Sequence, residues 1–308
     1  MNQMISYEVV ADGLRFPEGP IALPDGSFLV VEIAGKALTH IADKGKKSVL
    51  AELDGGPNGA AIGPDGRCYI CNSGGWKYKR KKGLTLPCGQ SMTAGWIERV
   101  CLSTGEVERL YDDVNGVPLS APNDIVFDDQ GGFWFTDHGK RRDNFLEIAG
   151  VYYAAADGSS LELAIDGLLT PNGIGLSPDG KTLYVAETRT ARLWSWGLSG
   201  PGQIERKSTN GHIPHGGSLI ATMPGFYPLD SMSVDSGGQI CVASLIHGGI
   251  WAVNPDSGEM KQFPLPDPYT TNICFGGKGL ATAYVTLSAS GKLISFPWQR
   301  PGLKLNYN

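Results

Sequence analysis

Histidine is scarce in this chain, with five in 308 residues, no apolar run is long enough to cross a bilayer, and like charge gathers in only one short stretch. Each shortage excludes something. The 26 basic and 31 acidic residues give a formal charge of -5 with no extended basic face, which argues against nucleic acid as a partner. The one dense basic run, Lys77 to Lys82, is flanked by Gly75 and Gly83 and reads as an exposed loop rather than a binding patch. The opening MNQMISYEVV has neither the basic nor the apolar region of a secretory signal, and no membrane span follows. A soluble cytoplasmic protein with no membrane partner is the expectation. Six cysteines (Cys68, Cys71, Cys88, Cys101, Cys241 and Cys274) include one C-x-x-C pair, but its members lie on an apolar strand and face opposite ways. Without a second such pair or a nearby histidine pair, all six are expected to be reduced thiols. No G-x-S-x-G elbow is present, so a serine nucleophile of the hydrolase type is not indicated.

What the chain has in quantity is glycine (43) and proline (20), the punctuation of turn-rich β structure. They punctuate a repeat. Six copies read PEGPIALPDGSFLVVE, PNGAAIGPDGRCYICN, PNDIVFDDQGGFWFTD, PNGIGLSPDGKTLYVAE, LDSMSVDSGGQICVAS and TNICFGGKGLATAYVT. Each is an apolar strand, a turn and a second apolar strand, with Pro-Asp-Gly at three turns supplying a fixed φ, a side-chain acceptor and a residue free to take φ > 0. The second residues, Glu18, Asn58, Asn123, Asn172, Asp230 and Asn272, stand 40, 65, 49, 58 and 42 apart. A four-stranded propeller blade takes roughly 40 to 50 residues, so the fold class is all-β, one six-bladed β-propeller over residues 1–308. The leftover segment Ile5 to Val10 is expected to pair within the last blade and close the ring. The long second interval holds Ser73 to Trp96, which reads as a loop between strands that could lie over one end.

The informative pattern is chemical. Innermost strands of a propeller run beside its central channel, so the six second residues converge near the axis at one end. All six carry oxygen: one Glu, one Asp and four Asn. Oxygen-only donors suit calcium or magnesium, and two carboxylates neutralise one divalent cation. Glu18, Asn123, Asn172 and Asp230 are taken as the metal ligands, with Asn58 and Asn272 beside them. Calcium is favoured; magnesium, manganese or zinc remain open. A second polar set closes the same copies: Glu32, Asn72, Asp137, Glu187, Ser244 and Thr286. The hairpin returns them to the same end, where they are expected to orient the ligands. His138, His215 and His247 are further candidates for substrate contact or for a base, because one follows Asp137 and the others precede Gly-Gly.

The strings FPEGP (16 to 20), APNDIVFDDQGGFWFTD (121 to 137), PNGIGLSPDGKTLYVAE (171 to 187), LDSMSVDSGGQICVA (229 to 243) and the ending RPGLKLN resemble the senescence marker protein/gluconolactonase/luciferin-regenerating enzyme family. That resemblance implies a propeller lactonase whose divalent metal is held by a Glu, two Asn and an Asp, matching Glu18, Asn123, Asn172 and Asp230. It also implies Lewis-acid opening of a small cyclic ester, with Asp230 beside the water. Two departures bear on the substrate. Sugar-lactonase members often carry Arg where this chain has Ala121, and Leu229-Asp230-Ser231 replaces a commoner Pro-Asp-Gly. A phosphotriesterase on the same metal and a propeller that only binds a small molecule are the alternatives.

Overall fold

A computed structural model describes residues 4–205 and 215–308. Six antiparallel sheets follow one another along the chain, each starting with the first strand of one repeat copy. These first strands are Pro17–Ala22, Pro57–Ile62, Pro122–Phe127, Pro171–Leu176, Leu229–Val234 and Thr270–Gly276. Each packs against the next, and the sixth packs against the first, so they line a closed channel. Among the described residues, helix is limited to two single 3₁₀ turns, Asp43–Gly45 and Lys278–Leu280.

The strand alternation explains the core. Residues on opposite faces of one blade pack on opposite neighbours, which is why Cys68 joins the cluster between blades one and two while Cys71 joins that between blades two and three. Four further clusters fill the remaining blade interfaces, the last joining Leu293 and Ala11 to Val30 and Ile41. The cysteines are free, as expected. Ring closure is made by Glu8–Ala11, which pairs antiparallel with Lys292–Pro297 as the outermost strand of blade six. An N-terminal strand thus covers the outer edge of the last blade, and the chain's two ends are bound into one sheet.

Turn chemistry holds each inner hairpin in register. Asp25, Asp65 and Asp179 accept the backbone N–H two residues on, at 2.9, 3.1 and 3.1 Å. At the other end of the inner strands something less expected recurs. All six inner pairs carry a register shift at the repeat's second residue. A bulge there breaks the alternation and re-aims one side chain, which is how a strand otherwise committed to its blade interfaces can present a polar group to the channel.

Glycine after the anchor has a separate reason. A Cβ at Gly59 would stand 2.4 Å from the Asn123 carbonyl oxygen, and one at Gly173 would stand 2.6 Å from that of Asp230. Neighbouring inner strands approach too closely for any side chain at these points.

The segment 73–96 is not a bare loop. It contains the hairpin Trp76–Lys81 and Leu84–Gln90, with Gly83 at φ 82 in its turn. Alternating half-buried and exposed residues along Trp76–Lys81 mark a strand with one face on the protein, a pattern that the lysine density conceals in the sequence.

Candidate metal and active site

The four proposed ligands lie at the bulged ends of blades one, three, four and five. Glu18, Asn123 and Asn172 are 2%, 7% and 3% exposed, while solvent still reaches Asp230 in the channel throat. Buried polar atoms normally find partners. Here Glu18 Oε1 and Asn123 Oδ1 have none. Glu18 Oε2 is fully engaged, accepting from Gly19 N at 2.5 Å and Asn272 Nδ2 at 2.7 Å. Asn172 Nδ2 donates to Thr188 Oγ1 at 3.1 Å, which leaves its carbonyl oxygen with only a long contact of 3.5 Å from Ser231 Oγ. The Asn172 and Asn272 amide nitrogens are tied back, while Glu18 Oε1 and Asn123 Oδ1 are left free. That is the arrangement a hard cation requires.

A third carboxylate sits beside the ring. Asp124 is buried, accepts Ile125 N at 3.1 Å and Ile174 N at 3.3 Å, and so reaches from blade three to the backbone of blade four. The repeat offered a signal for it: the position after the anchor is Gly19, Gly59 and Gly173 in three copies, and an acid replaces that close-packing glycine in the third. Burial pushes the Asp124 carboxyl up to about 8, with the Glu18 charge adding to it. Glu18 itself is raised to about 7 by burial, against the pull of its Asn272 and Gly19 hydrogen bonds. Asp230 is raised well above the usual carboxylate range by burial and by the Glu18 and Asp124 charges. Three carboxyls this close cannot all ionise without a compensating cation.

These shifts set a testable pH dependence. Carboxyls raised in the folded state favour folding below their unfolded range, and that contribution is lost as pH climbs through about 7 to 8. In chelator, the melting temperature is therefore expected to fall from pH 5 to pH 8, and with saturating calcium the fall should be largely removed. Binding at pH 6 should release more than one proton per ion, read by calorimetry in buffers of different ionisation heat. A chelator-independent melting profile with no proton release would contradict the assignment.

Among the described residues no group of three or more His, Cys, Asp or Glu has metal-holding geometry. The set here is instead mixed, two carboxylates with amide oxygens, and the residues present fit a hard divalent ion.

The other expectations divide. Asn58 is buried at the matching register, but Asn272 is satisfied at both ends, donating to Glu18 and accepting Ile273 N at 2.7 Å. It positions Glu18 rather than offering itself to a substrate. Four of the six residues that close the copies turn to loop amides instead of to the ring. Asp137 accepts Ser120 N and Ala121 N, both at 2.7 Å, Glu32 accepts Arg15 N at 2.5 Å, and Glu187 accepts Leu169 N at 2.6 Å. Asn72 likewise accepts Gly56 N at 2.8 Å. In each case the side chain fastens the loop that enters the same blade's inner strand. Ser244 and Thr286 are fully buried, with Thr286 Oγ1 at 2.8 Å from Thr271 Oγ1.

Of the histidines, only His138 keeps its candidacy. It is half-buried beside the ring end, with Nδ1 at 3.2 Å from Gly139 O, and burial lowers its imidazole to about 4, so it is neutral at pH 7. His215 is buried against Trp194 and Trp196, at ring distances of 4.6 and 5.5 Å, in the outer part of blade four. His247 is exposed and packs on Tyr227 at 4.9 Å. Gly-Gly after a histidine marked close packing at both sites: a Cβ at Gly217 would meet the Trp196 ring at 2.6 Å, and one at Gly248 the Asp267 carbonyl oxygen at 2.4 Å.

Residues 16–289 match the model of the SMP-30/Gluconolactonase/LRE-like region, nearly the whole propeller. The chain belongs to this family. A gluconolactonase of Zymomonas mobilis subsp. mobilis is 27% identical over 91% of this chain and 78% of its own. The diisopropyl-fluorophosphatase of Loligo vulgaris is also 27% identical, over 97% of this chain and 94% of its own. In fold, a calcium-binding protein, regucalcin, from Agrobacterium tumefaciens str. C58 superposes with a TM-score of 0.74, covering 99% of this chain and 100% of its own at 18% identity. Membership agrees with the propeller read from the repeats. No helix among the described residues is long and apolar enough to cross a membrane.

Proposed function

We propose that this family member is a metal-dependent lactonase, in which Glu18, Asn123, Asn172 and Asp230 hold one divalent cation, calcium by preference, in the channel throat. The observation that carries the reading is the pair of orphaned oxygens, Glu18 Oε1 and Asn123 Oδ1, buried without a donor in a ring where Asn172 and Asn272 have their amide nitrogens engaged. Relatives named gluconolactonase and lactonase support a hydrolase acting on a small cyclic ester. A cation bound there supplies Lewis-acid polarisation of a carbonyl and acidifies a neighbouring water.

The chain's own groups supply the rest. Asp230 is the one ligand that solvent reaches, so its carboxylate is placed to orient the attacking water and take its proton. Asn272 holds the Glu18 carboxylate by one oxygen and leaves the other free. Asp124 adds negative charge beside the ring and strengthens its demand for a cation.

Ala121 bears on substrate choice. It is buried, its N–H is spent on Asp137, and it offers no side-chain donor for a sugar hydroxyl. Simple γ- and δ-lactones are expected to show a higher kcat/KM than gluconolactone, and a gluconolactone value above theirs would contradict this part of the reading. A second reading, phosphotriester hydrolysis on the same cation, draws on the Loligo vulgaris relative, which spans nearly all of both chains. Side-by-side turnover of a lactone and of a phosphotriester separates the two.

A further inference from the structure

The hairpin Trp76–Gln90 is inserted between the second and third strands of blade two; blade three has only the short hairpin of Arg141–Arg142 with Phe145–Leu146 at that place, and the longer one does not pack on blade two alone. Its turn side donates Thr85 N to Ala289 O at 2.8 Å, in a loop of blade six. Its base leans the other way: Gln90 Nε2 reaches Gly139 O and Gln90 Oε1 accepts Arg141 N, both at 3.4 Å, in blade three. The hairpin, which belongs to blade two, therefore reaches over blade one to blade six at its turn while its base rests on blade three.

Under the strap are aromatic rings. Tyr78, on the face that Trp76–Lys81 turns to the protein, lies 4.9 Å from the ring of Phe16. Phe16 lies 5.6 Å from Tyr269, edge to face. Phe16 stands two residues before Glu18, and Tyr269 three before Asn272. Phe16 also holds a left-handed backbone at φ 59, a conformation that a bulky residue takes only where surrounding structure enforces it, and such positions concentrate at functional sites. Tyr78 and Tyr269 are both half-buried, and an ordinary phenol is neutral at pH 7.

Resting on the lactonase reading, we propose that Phe16, Tyr78 and Tyr269 form one wall of the substrate site, held by the strap, and that they select lactones whose ring carries an apolar, flat substituent. Neutral aromatic faces reward the burial of such a group and offer little to the hydroxyls of a sugar ring, while Ala121 supplies no polar replacement. Blade two's hairpin is thereby a specificity element, and Tyr78 is its contact residue.

The test compares γ-phenyl-γ-butyrolactone with γ-butyrolactone in the calcium-loaded protein, and measures binding of the unhydrolysed analogue 5-phenyl-2-pyrrolidinone by titration calorimetry. The phenyl lactone should have the higher kcat/KM, by about tenfold or more, as an apolar pocket contact of this size allows. Tyr78→Ala should reduce that ratio about tenfold and weaken lactam binding similarly, and Tyr78→Phe should preserve both within about twofold, because the ring and not the hydroxyl makes the contact. A wild-type ratio near one, or a ratio and lactam affinity unmoved by Tyr78→Ala, overturns the wall and leaves the lactonase reading standing. If neither lactone is hydrolysed but lactam binding still depends on Tyr78, the wall stands and the lactonase reading falls. If there is neither hydrolysis nor lactam binding, both are overturned.

Discussion

Stripped of divalent cations by exhaustive chelation, the protein is expected to lose lactone hydrolysis, and added calcium, magnesium, manganese or zinc is expected to restore it. The size of the effect follows from what the channel throat contains. Burial raises Glu18, Asp124 and Asp230, and the Glu18 charge raises the other two further, with Asp124 also acting on Asp230. Without a cation, protons take its place, and a protonated Asp230 can neither hold a metal nor accept a proton from water. Carbonyl polarisation disappears at the same time. Lewis-acid stabilisation is worth several kcal/mol of barrier, and each 1.36 kcal/mol is tenfold, so a loss of about a thousandfold or more is expected. The measurement is turnover with metal content followed by elemental analysis. Full activity in demonstrably metal-free protein would sink the metal mechanism. Restoration by calcium ahead of zinc would agree with the oxygen-only donor set.

The second large effect separates ligand from base at Asp230. Asp230→Asn keeps an oxygen in the ring and removes the charge that draws a proton from water. With metal saturating, kcat should fall by roughly 10²- to 10⁴-fold, the usual contribution of a general base. Metal affinity should fall much less. Asn123→Ala removes a neutral carbonyl and leaves Asp230 in place, so raising the metal concentration should recover part of its rate. The structure sharpens the contrast, because Asn123 Oδ1 is buried without any other partner and Asp230 is partly exposed. If metal-loaded Asp230→Asn kept more than a tenth of wild-type kcat, Asp230 would be a ligand only. His138 would then be the group to examine, as the neutral imidazole beside the ring end.

Kinship and geometry bear on different parts of this picture. The match of residues 16–289 to the SMP-30/Gluconolactonase/LRE-like region establishes the family, and relatives near 27% identical are named gluconolactonase and diisopropyl-fluorophosphatase. The choice between those substrates lies with side chains around the throat, where Ala121, Phe16, Tyr78 and Tyr269 belong to this chain. Residues 206–214, which include His212, lie outside the described segments.

The sequence by itself determined the propeller and its axis. Six strand-turn-strand copies with turn aspartates and glycines at fixed offsets can bury their apolar faces only by packing on one another in a circle. A polar residue repeated at one register of all six must then meet its counterparts. That reasoning depends only on period and alternation, which are local properties of the chain. It reached Glu18, Asn58, Asn123, Asn172, Asp230 and Asn272 without coordinates. It could not say which of the six keep a free oxygen. Asn272 and Asn123 carry the same side chain at the same register, yet one amide is spent on Glu18 and the other has a bare carbonyl oxygen, a difference made by partners far away in the chain. The same limit hid the true work of Glu32, Asn72, Asp137 and Glu187, whose acceptors turn to loop amides nearby rather than to the ring. It hid Asp124, where an acid replaces a glycine of the repeat, and it placed His215 and His247 by a dipeptide that reported backbone crowding. Only the tertiary structure decided these points, because hydrogen-bond pairing, burial and mutual charge are set by residues brought together from different blades. The hairpin over blade one is the clearest instance: its lysines read as a solvated loop, and only packing against Phe16 turns Tyr78 toward the site.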